Sequence, residues 1–215
     1  MPPCFEEAYY ARNYRNYAAQ NPRAKLDFYR GLLEEAAPAE DSTKILEIGC
    51  AFGRFLQCVD PAWQRHGCDL SQHAVSKAKQ DLPDAKFWVG DAARIPVRTQ
   101  FNLVAAFDVI EHVPDLAAVG AAVNDALAPE GCFLFVVPVY DGPTGPIIRV
   151  LDKDPTHVHK QSRWFWLDWA EERFELLQWW GLYRYLLPTR HYLFLPTKRM
   201  RRYTPAIAVL MRKKS

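Results

Sequence analysis

The sequence has no apolar run close to the roughly 20 residues that a membrane-spanning helix requires. Its first ten residues carry two glutamates and no apolar run, so the sequence predicts no secretory signal. The five cysteines are scattered, odd in number and never spaced as Cys-x-x-Cys. This distribution argues against a disulfide framework or a zinc ribbon and predicts reduced core thiols. We therefore expect a cytoplasmic protein without an integral membrane segment.

Net charge is also small, because 27 basic and 25 acidic residues leave a formal charge of +2. Such a small excess does not predict a nucleic-acid partner. The chain lacks internal repeats and low-complexity linkers, while its 215 residues, 49% of them hydrophobic, are enough for one sizeable core. We expect a single domain overall, acting as a monomer or homodimer, in which a helical segment at 1–42 precedes the main unit at 43–215.

From Lys44 onward, strand patterns alternate with helix patterns. This alternation predicts a doubly wound, mostly parallel α/β sheet of seven strands with helices on both faces, the last strand being a candidate for antiparallel pairing. The predicted strands are Lys44–Ile48, a short one ending at 68–70, Lys86–Val89, Asn102–Phe107, Cys132–Val137, Leu176–Leu187 and Thr204–Met211. The predicted helices are one capped at Asn21, with Pro22 at its first position, and running to about Ala37, one from about Gly53, and three over 71–81, Val113–Ala128 and Ser162–Glu175.

Acidic residues fall at or near the carboxyl ends of the first four predicted strands. They are Glu47, Asp69, Asp91 and Asp108. In open α/β sheets, ligands bind outside these strand ends. Because a carboxylate at such an edge is costly without a partner, four of them indicate a ligand rich in hydroxyls and amines.

The turn after the first predicted strand reads Gly49-Cys50-Ala51-Phe52-Gly53. Glycines allow a sharp turn and a close approach of the backbone to a ligand, and the helix predicted from Gly53 would offer its positive end to a carboxylate. The spacing is G-x-A-x-G and lacks the G-x-G-x-x-G of dinucleotide-binding turns. This difference disfavours a nicotinamide cofactor.

Residues 45–53 resemble the first motif of the class I S-adenosylmethionine-dependent methyltransferases, in a variant with alanine as the middle residue of the turn. Four later segments, 67–71, 89–92, 107–113 and 127–132, resemble the family's further motifs in the same order. The resemblance covers about residues 44–137. It implies a Rossmann-like fold, an N-terminal helical lid to which Tyr10, Tyr14 and Tyr17 belong, and S-adenosyl-L-methionine as the cofactor.

The resemblance also implies roles for individual residues. Asp69 would pair with the ribose hydroxyls and Asp91 would meet the adenine amino group. The full set expected to bind the cofactor is Glu47, Gly49, Cys50, Ala51, Gly53, Asp69, Leu70, Asp91, Ala92 and Asp108. From the residues alone, other readings stay open: Asp69 as a helix cap shared with Ser71, Asp91 as a turn residue, and Asp108 and Glu111 as caps of the following helix.

Methyl transfer from a sulfonium requires alignment of the acceptor, exclusion of water and, for some acceptors, removal of a proton. His112, after the fourth predicted strand, and His157 and His159, in the long loop at 138–161, are candidate bases, and His112 and His157 are the candidate catalytic residues. The alternative is that they shape the loop and the helix start. The one possible metal cluster, His157 and His159 with Asp152 or Asp154, has no specific spacing, so we expect no metal.

The sequence therefore predicts a methyltransferase that acts on a small-molecule acceptor, with oxygen as the expected acceptor atom. Neutral imidazole bases suit a hydroxyl, and the Asn/Asp-Pro-Pro-Tyr/Phe motif of many amino-group methylators is absent. Sugars, quinone-like phenols and lipids are the candidate acceptors. A cofactor-binding module without catalysis and a nucleotide-dependent oxidoreductase are the alternatives.

Overall fold

A computed structural model describes residues 17–37, 43–96, 99–152, 154–186 and 192–214. Its strands are β1 Lys44–Ile48, β2 Gln64–Asp69, β3 Lys86–Val89, β4 Phe101–Phe107, β5 Leu127–Pro138, β6 Phe174–Leu186, β7 Tyr192–Thr197 and β8 Ala206–Lys213. Its α-helices are α1 Tyr17–Gln20, α2 Arg23–Ala36, α3 Gln72–Asp81, α4 Leu116–Ala126, α5 Gly145–Leu151 and α6 Arg163–Glu171. Single 3-10 turns occupy Ile110–His112 and Arg201–Tyr203.

The strands form one sheet in the order β3-β2-β1-β4-β5-β8-β6-β7. Strands β1 to β5 are parallel, and β6, β7 and β8 add antiparallel pairs at one side. The chain order reverses between β1 and β4, which is where such sheets open a crevice for ligands. The predicted doubly wound, mostly parallel architecture is thus confirmed.

The sheet has eight strands where seven were predicted, because β7 was missed. Its sequence contains Pro196, and a proline within an apolar run argues against a central strand. Strand β7 lies at the sheet edge, where a missing N–H is tolerated.

Three helix predictions need correction. Residues 51–59 form consecutive turns, in which Gln57 donates to the carbonyl of Gly53, so no α-helix begins at Gly53. The helix predicted from Val113 begins at Leu116, because Pro114 disfavours helical backbone at the residue before it. Pro22 itself is the N-cap of α2, without a side-chain cap, and does not occupy the first helical position.

Side chains of the central strands alternate between two apolar layers. In β1, Leu46 and Ile48 pack with α4 and α6, whereas Ile45 packs with α2 and α3. Helices therefore cover both faces of the sheet, as predicted. Helices α1 and α2 precede β1, in the segment for which a lid was predicted, and Tyr10 and Tyr14 lie outside the described residues. In the part of the chain that the structure describes, no helix combines the length and apolarity needed to cross a bilayer.

Candidate active site

A cavity of about 520 Å³ opens at the carboxyl ends of β1 to β4. Its size lies within the usual range of small-molecule sites. Every predicted cofactor residue except Gly53 lines it, and so do both candidate catalytic histidines. The predicted site residues that line the cavity are Glu47, Gly49, Cys50, Ala51, Asp69, Leu70, Asp91, Ala92, Asp108, His112 and His157. The strand-end residues that are distant in sequence thus meet at one site.

The turn after β1 depends on left-handed backbone at every second residue. Gly49, Ala51 and Gly53 have φ of +67°, +45° and +70°. At position 49 a Cβ would also lie 2.2 Å from Cγ2 of Val109, so packing as well as backbone conformation requires glycine there. Ala51 adopts the same region at a cost of roughly 1–2 kcal/mol. The middle position of this turn therefore favours glycine for a conformational reason.

The carboxylate of Asp69 joins two strand ends. Its Oδ2 accepts a hydrogen bond from the backbone N–H of Ala51 at 3.0 Å, and its Oδ1 accepts one from Ser71 at 2.9 Å. The cap of α3 is the hydroxyl of Ser71, which accepts from the N–H of Ala74. Asp69 is 8% exposed and lines the cavity, so it fixes the turn while it presents carboxylate to a ligand.

Glu47 points from β1 into the cavity and is almost fully buried. Its Oε2 has no hydrogen-bond partner among the described residues. Burial raises the pKa of Glu47 well above its usual value, and the nearby Asp69 raises it further. A buried acceptor of this kind requires a donor, and a ligand ammonium group would supply one.

Asp91 closes the turn after β3. Its Oδ1 accepts from the N–H of Ala93 at 2.9 Å, and its carbonyl accepts from Arg94. The turn-residue reading is therefore correct. Asp91 also lines the cavity together with Gly90 and Ala92, so the same turn forms a wall of the site.

Asp108 does not cap the following helix; it forms an ion pair with Arg184 of β6, at 2.5 Å. Although desolvation raises the pKa of Asp108, the guanidinium outweighs this effect and lowers it. Asp108 has φ of +57°, and its Oδ1 is buried without a partner among the described residues. Sequence reasoning missed Arg184, because 76 positions separate it from Asp108.

Helix α2 supplies a second cation that sequence reasoning also missed. Lys25 is buried at the cavity wall, donates to Oδ1 of Asn21 at 3.2 Å and lies 5.5 Å from the ring of Tyr192. Burial lowers the pKa of Lys25 to about 8, although the carboxylate of Asp108 opposes that shift. This side of the cavity is therefore cationic and aromatic.

His112 and His157 lie side by side, with ring centroids 4.6 Å apart. Nδ1 of His157 lies 2.9 Å from Oδ2 of Asp152, and Nδ1 of His112 lies 2.9 Å from Oγ1 of Thr156. The Thr156 hydroxyl donates to Asp154, so it accepts from His112. In the neutral form of each ring, these contacts place the proton on Nδ1 and the lone pair on Nε2.

The histidine cluster differs from the one considered in the sequence. His159 turns away, with Nε2 3.0 Å from the carbonyl of Val113. Glu111 takes its place, because ligand atoms of Glu111, His112 and His157 all lie within 4.8 Å of one another. Glu111 is fully buried, and neither carboxylate oxygen has a partner among the described residues.

Comparison with known proteins identifies the family of this chain. Residues 13–204 match the family described as "Methyltransferase domain". Nodulation protein S of Sinorhizobium fredii is 29% identical over 100 residues, which are 43% of this chain and 46% of that protein, so the match spans about half of the relative.

Two solved structures share the fold. An S-adenosylmethionine-dependent methyltransferase from Clostridium acetobutylicum superposes with a TM-score of 0.71 at 14% identity, over 97% of each chain. A TehB-like SAM-dependent methyltransferase from Corynebacterium glutamicum gives 0.63 at 21% identity, over 96% of this chain and 97% of that one. Since the family match covers most of the sequence, this chain belongs to the methyltransferase domain family, and it has the fold of the two S-adenosylmethionine-dependent methyltransferases.

Proposed function

We propose that this enzyme transfers the methyl group of S-adenosylmethionine to a hydroxyl oxygen of a small molecule, and that the hydroxyl is activated at the pair His112 and His157. The observation that carries the proposal is the placement of two adjacent imidazoles, each with its Nδ1 hydrogen-bonded to an oxygen, in the wall of the cavity. Burial lowers the pKa of His112, and His157 lowers it further, so its imidazole is neutral near pH 7.

The residues at the strand ends fit the cofactor. The unpartnered Oε2 of Glu47 suits the ammonium of the methionine part, and Asp69 suits the ribose hydroxyls. Asp91 and Ala92 lie at the wall where the resemblance expects the adenine. The cofactor supplies an activated methyl group on sulfonium, so the protein has to orient the acceptor and exclude water. Gly53 acts through the turn and does not line the cavity.

The acceptor is proposed to occupy the side of the cavity formed by α2 and the antiparallel strands. Lys25, Arg184, Tyr29, Tyr185 and Tyr192 line that side. Aromatic rings and hydrogen-bond donors suit a sugar or a phenol. A lipid acceptor would need the apolar part of its chain to leave through the mouth of the cavity.

Titration calorimetry of the full chain with S-adenosylhomocysteine is the first test, with NAD as the comparison. Heat with S-adenosylhomocysteine alone supports the cofactor site and excludes an oxidoreductase. Turnover of a panel of hydroxylated acceptors then separates an enzyme from a cofactor-binding module without catalysis. The absence of heat at tens of micromolar, with folded protein, would refute the proposal.

Variants test the role of the histidines. His112→Ala and His157→Ala should lower kcat by about 100-fold or more while S-adenosylhomocysteine binds with unchanged affinity. His73→Ala is the matched control, because its imidazole contacts Phe52 and does not line the cavity. A variant that loses cofactor affinity in place of rate would assign the histidine to binding.

A further inference from the structure

We infer that Glu111, His112 and His157 bind one divalent transition-metal cation at the wall of the cavity, where it coordinates the acceptor hydroxyl. The binding of the cation follows from the geometry alone, whereas its role rests on the proposed function. The sequence-based expectation of no metal considered His157 with His159, Asp152 and Asp154. The structure brings a different set together, with Glu111 and His112 in place of His159.

The spacing of the three side chains suits a shared ligand. One ligand atom from each lies within 4.8 Å of the other two. Zinc bonds to histidine nitrogen and carboxylate oxygen measure about 2.0–2.2 Å, so two ligands of one ion lie at most about 4.4 Å apart. Small side-chain rotations would therefore bring the three atoms to bonding distance.

Glu111 provides the independent observation that a cation belongs there. Its side chain is fully buried, and both carboxylate oxygens lack a hydrogen-bond partner among the described residues. Arg184, the nearby guanidinium, is already paired with Asp108. A buried carboxylate without a partner is strongly unfavourable, and a metal ion satisfies both oxygens.

One nitrogen of each imidazole is held by a hydrogen bond to an oxygen. Histidine ligands commonly donate their second N–H to a carboxylate or another oxygen, which fixes the tautomer. Here His157 donates from Nδ1 to Asp152, and His112 donates from Nδ1 to Thr156. Asp152 is fixed in turn by the hydroxyl of Tyr140 and by Lys160.

The donor set also selects the class of metal. Two imidazoles and one carboxylate suit Zn²⁺, Mn²⁺, Fe²⁺ or Co²⁺, whereas Ca²⁺ and Mg²⁺ prefer oxygen ligands. Three protein ligands leave coordination positions open, as in catalytic zinc sites. Since His112 and His157 line the cavity, an open position faces the acceptor.

A hydroxyl oxygen bound to the cation would lose its proton to solvent more readily. The oxygen then forms the new O–CH₃ bond as the S–CH₃ bond breaks, and the electron pair of that bond stays on sulfur. The products are a methyl ether and S-adenosylhomocysteine, and the oxidation state of the cation does not change. In this arrangement the histidines hold the cation and do not take up the proton themselves.

The test is the titration of tag-free, chelator-treated full chain with Co²⁺, Zn²⁺, Mn²⁺ and Mg²⁺, followed by calorimetry and by the visible absorption of Co²⁺. We expect one equivalent of Co²⁺ or Zn²⁺ to bind, with Mg²⁺ at least about 100-fold weaker. Glu111→Gln and His157→Ala should each weaken binding at least about 100-fold, and Asp152→Asn about 10–100-fold. Glu171→Gln, an exposed carboxylate on α6, should bind as the wild type does.

The outcomes separate this inference from the proposed function. No cation binding below about 1 mM, or binding that Glu111→Gln and His157→Ala leave unchanged, would overturn the metal site. Methyl transfer that continues at full rate in chelator would overturn its role while the proposed function stands. Loss of S-adenosylhomocysteine binding concerns the proposed function alone. If Glu111→Gln fails to fold, His157→Ala and the wild-type titration decide the question.

Discussion

The backbone N–H of Ala51 donates a hydrogen bond to Oδ2 of Asp69 across 3.0 Å, and this bond joins the turn after β1 to the end of β2. The other oxygen of the same carboxylate accepts from the N–H of Ser71. One buried side chain therefore fixes two strand ends at the cavity. A ligand hydroxyl that reaches Asp69 meets a carboxylate that is already in place, which reduces the ordering that binding requires.

Replacing Asp69 by alanine should affect stability and binding together. The variant leaves the N–H groups of Ala51 and Ser71 without their acceptor, so we expect the free energy of unfolding to fall by about 1–3 kcal/mol. The dissociation constant for S-adenosylhomocysteine should rise at least about 10-fold. Urea unfolding and calorimetry measure the two effects. Asp81→Ala on the exposed face of α3 is the control, and equal stability of both variants would contradict the argument.

The left-handed backbone at Ala51 leads to a second prediction. Glycine would relieve the conformational cost at φ of +45°, but it would also raise the entropy of the unfolded chain. We expect Ala51→Gly to change the free energy of unfolding by between about 0 and +1 kcal/mol, in the stabilising direction. Ala121→Gly, at an exposed position within α4, should cost about 1 kcal/mol. Similar losses in both variants would contradict strain at Ala51.

The sequence predicts the cofactor side of this site better than the acceptor side, for a physical reason. Glu47, Asp69, Asp91 and Asp108 lie at or near the carboxyl ends of parallel strands, and these ends share one edge of the sheet. Their convergence follows from the strand pattern alone. Lys25 and Arg184 reach the cavity from α2 and β6, and no local pattern marks a long side chain that bends back toward it.

Glu111 shows a second limit of sequence reasoning. It was interpreted as a candidate helix cap, because the helix was expected to begin near Val113. The 3-10 turn at Ile110–His112 changes that geometry, since it turns Glu111 into the interior and places His112 at the cavity. The displaced start of α4 follows from Pro114 and Asp115, so a closer weighting of proline would have suggested the break.

Lys25 should make stability depend on pH in the alkaline range. Burial lowers its pKa to about 8, so the folded protein binds this proton less readily than the unfolded chain does. The charged ammonium of Lys25 therefore lowers the free energy of unfolding below about pH 8. This destabilisation disappears as the pH rises toward about 10.4. We expect Lys25→Met to gain about 1–3 kcal/mol in urea unfolding near pH 7, with little gain above about pH 10. Lys79→Met, at an exposed position of α3, should show no such trend.

Glu47 should make stability depend on pH in the opposite direction, and its replacement should raise stability while it weakens ligand binding. Burial and then Asp69 raise its pKa, so the folded protein keeps a proton that the unfolded chain releases above about pH 4.3. Stability therefore falls as the pH rises from there toward the folded pKa. Glu47→Gln removes this ionisation, so its free energy of unfolding near pH 8 should exceed that of the wild type by about 1–2 kcal/mol.

The same substitution removes the carboxylate that Glu47 would form beside the ligand ammonium, so the dissociation constant of Glu47→Gln for S-adenosylhomocysteine should rise at least about 10-fold. Stability and affinity then change in opposite directions, which a merely structural glutamate would not produce. Urea unfolding at several pH values and calorimetry near pH 7 measure both, with Glu35→Gln on the exposed side of α2 as the control. If the free energies of unfolding of Glu47→Gln and the wild type depended on pH in the same way, burial would not raise the pKa of Glu47, and the argument would be wrong.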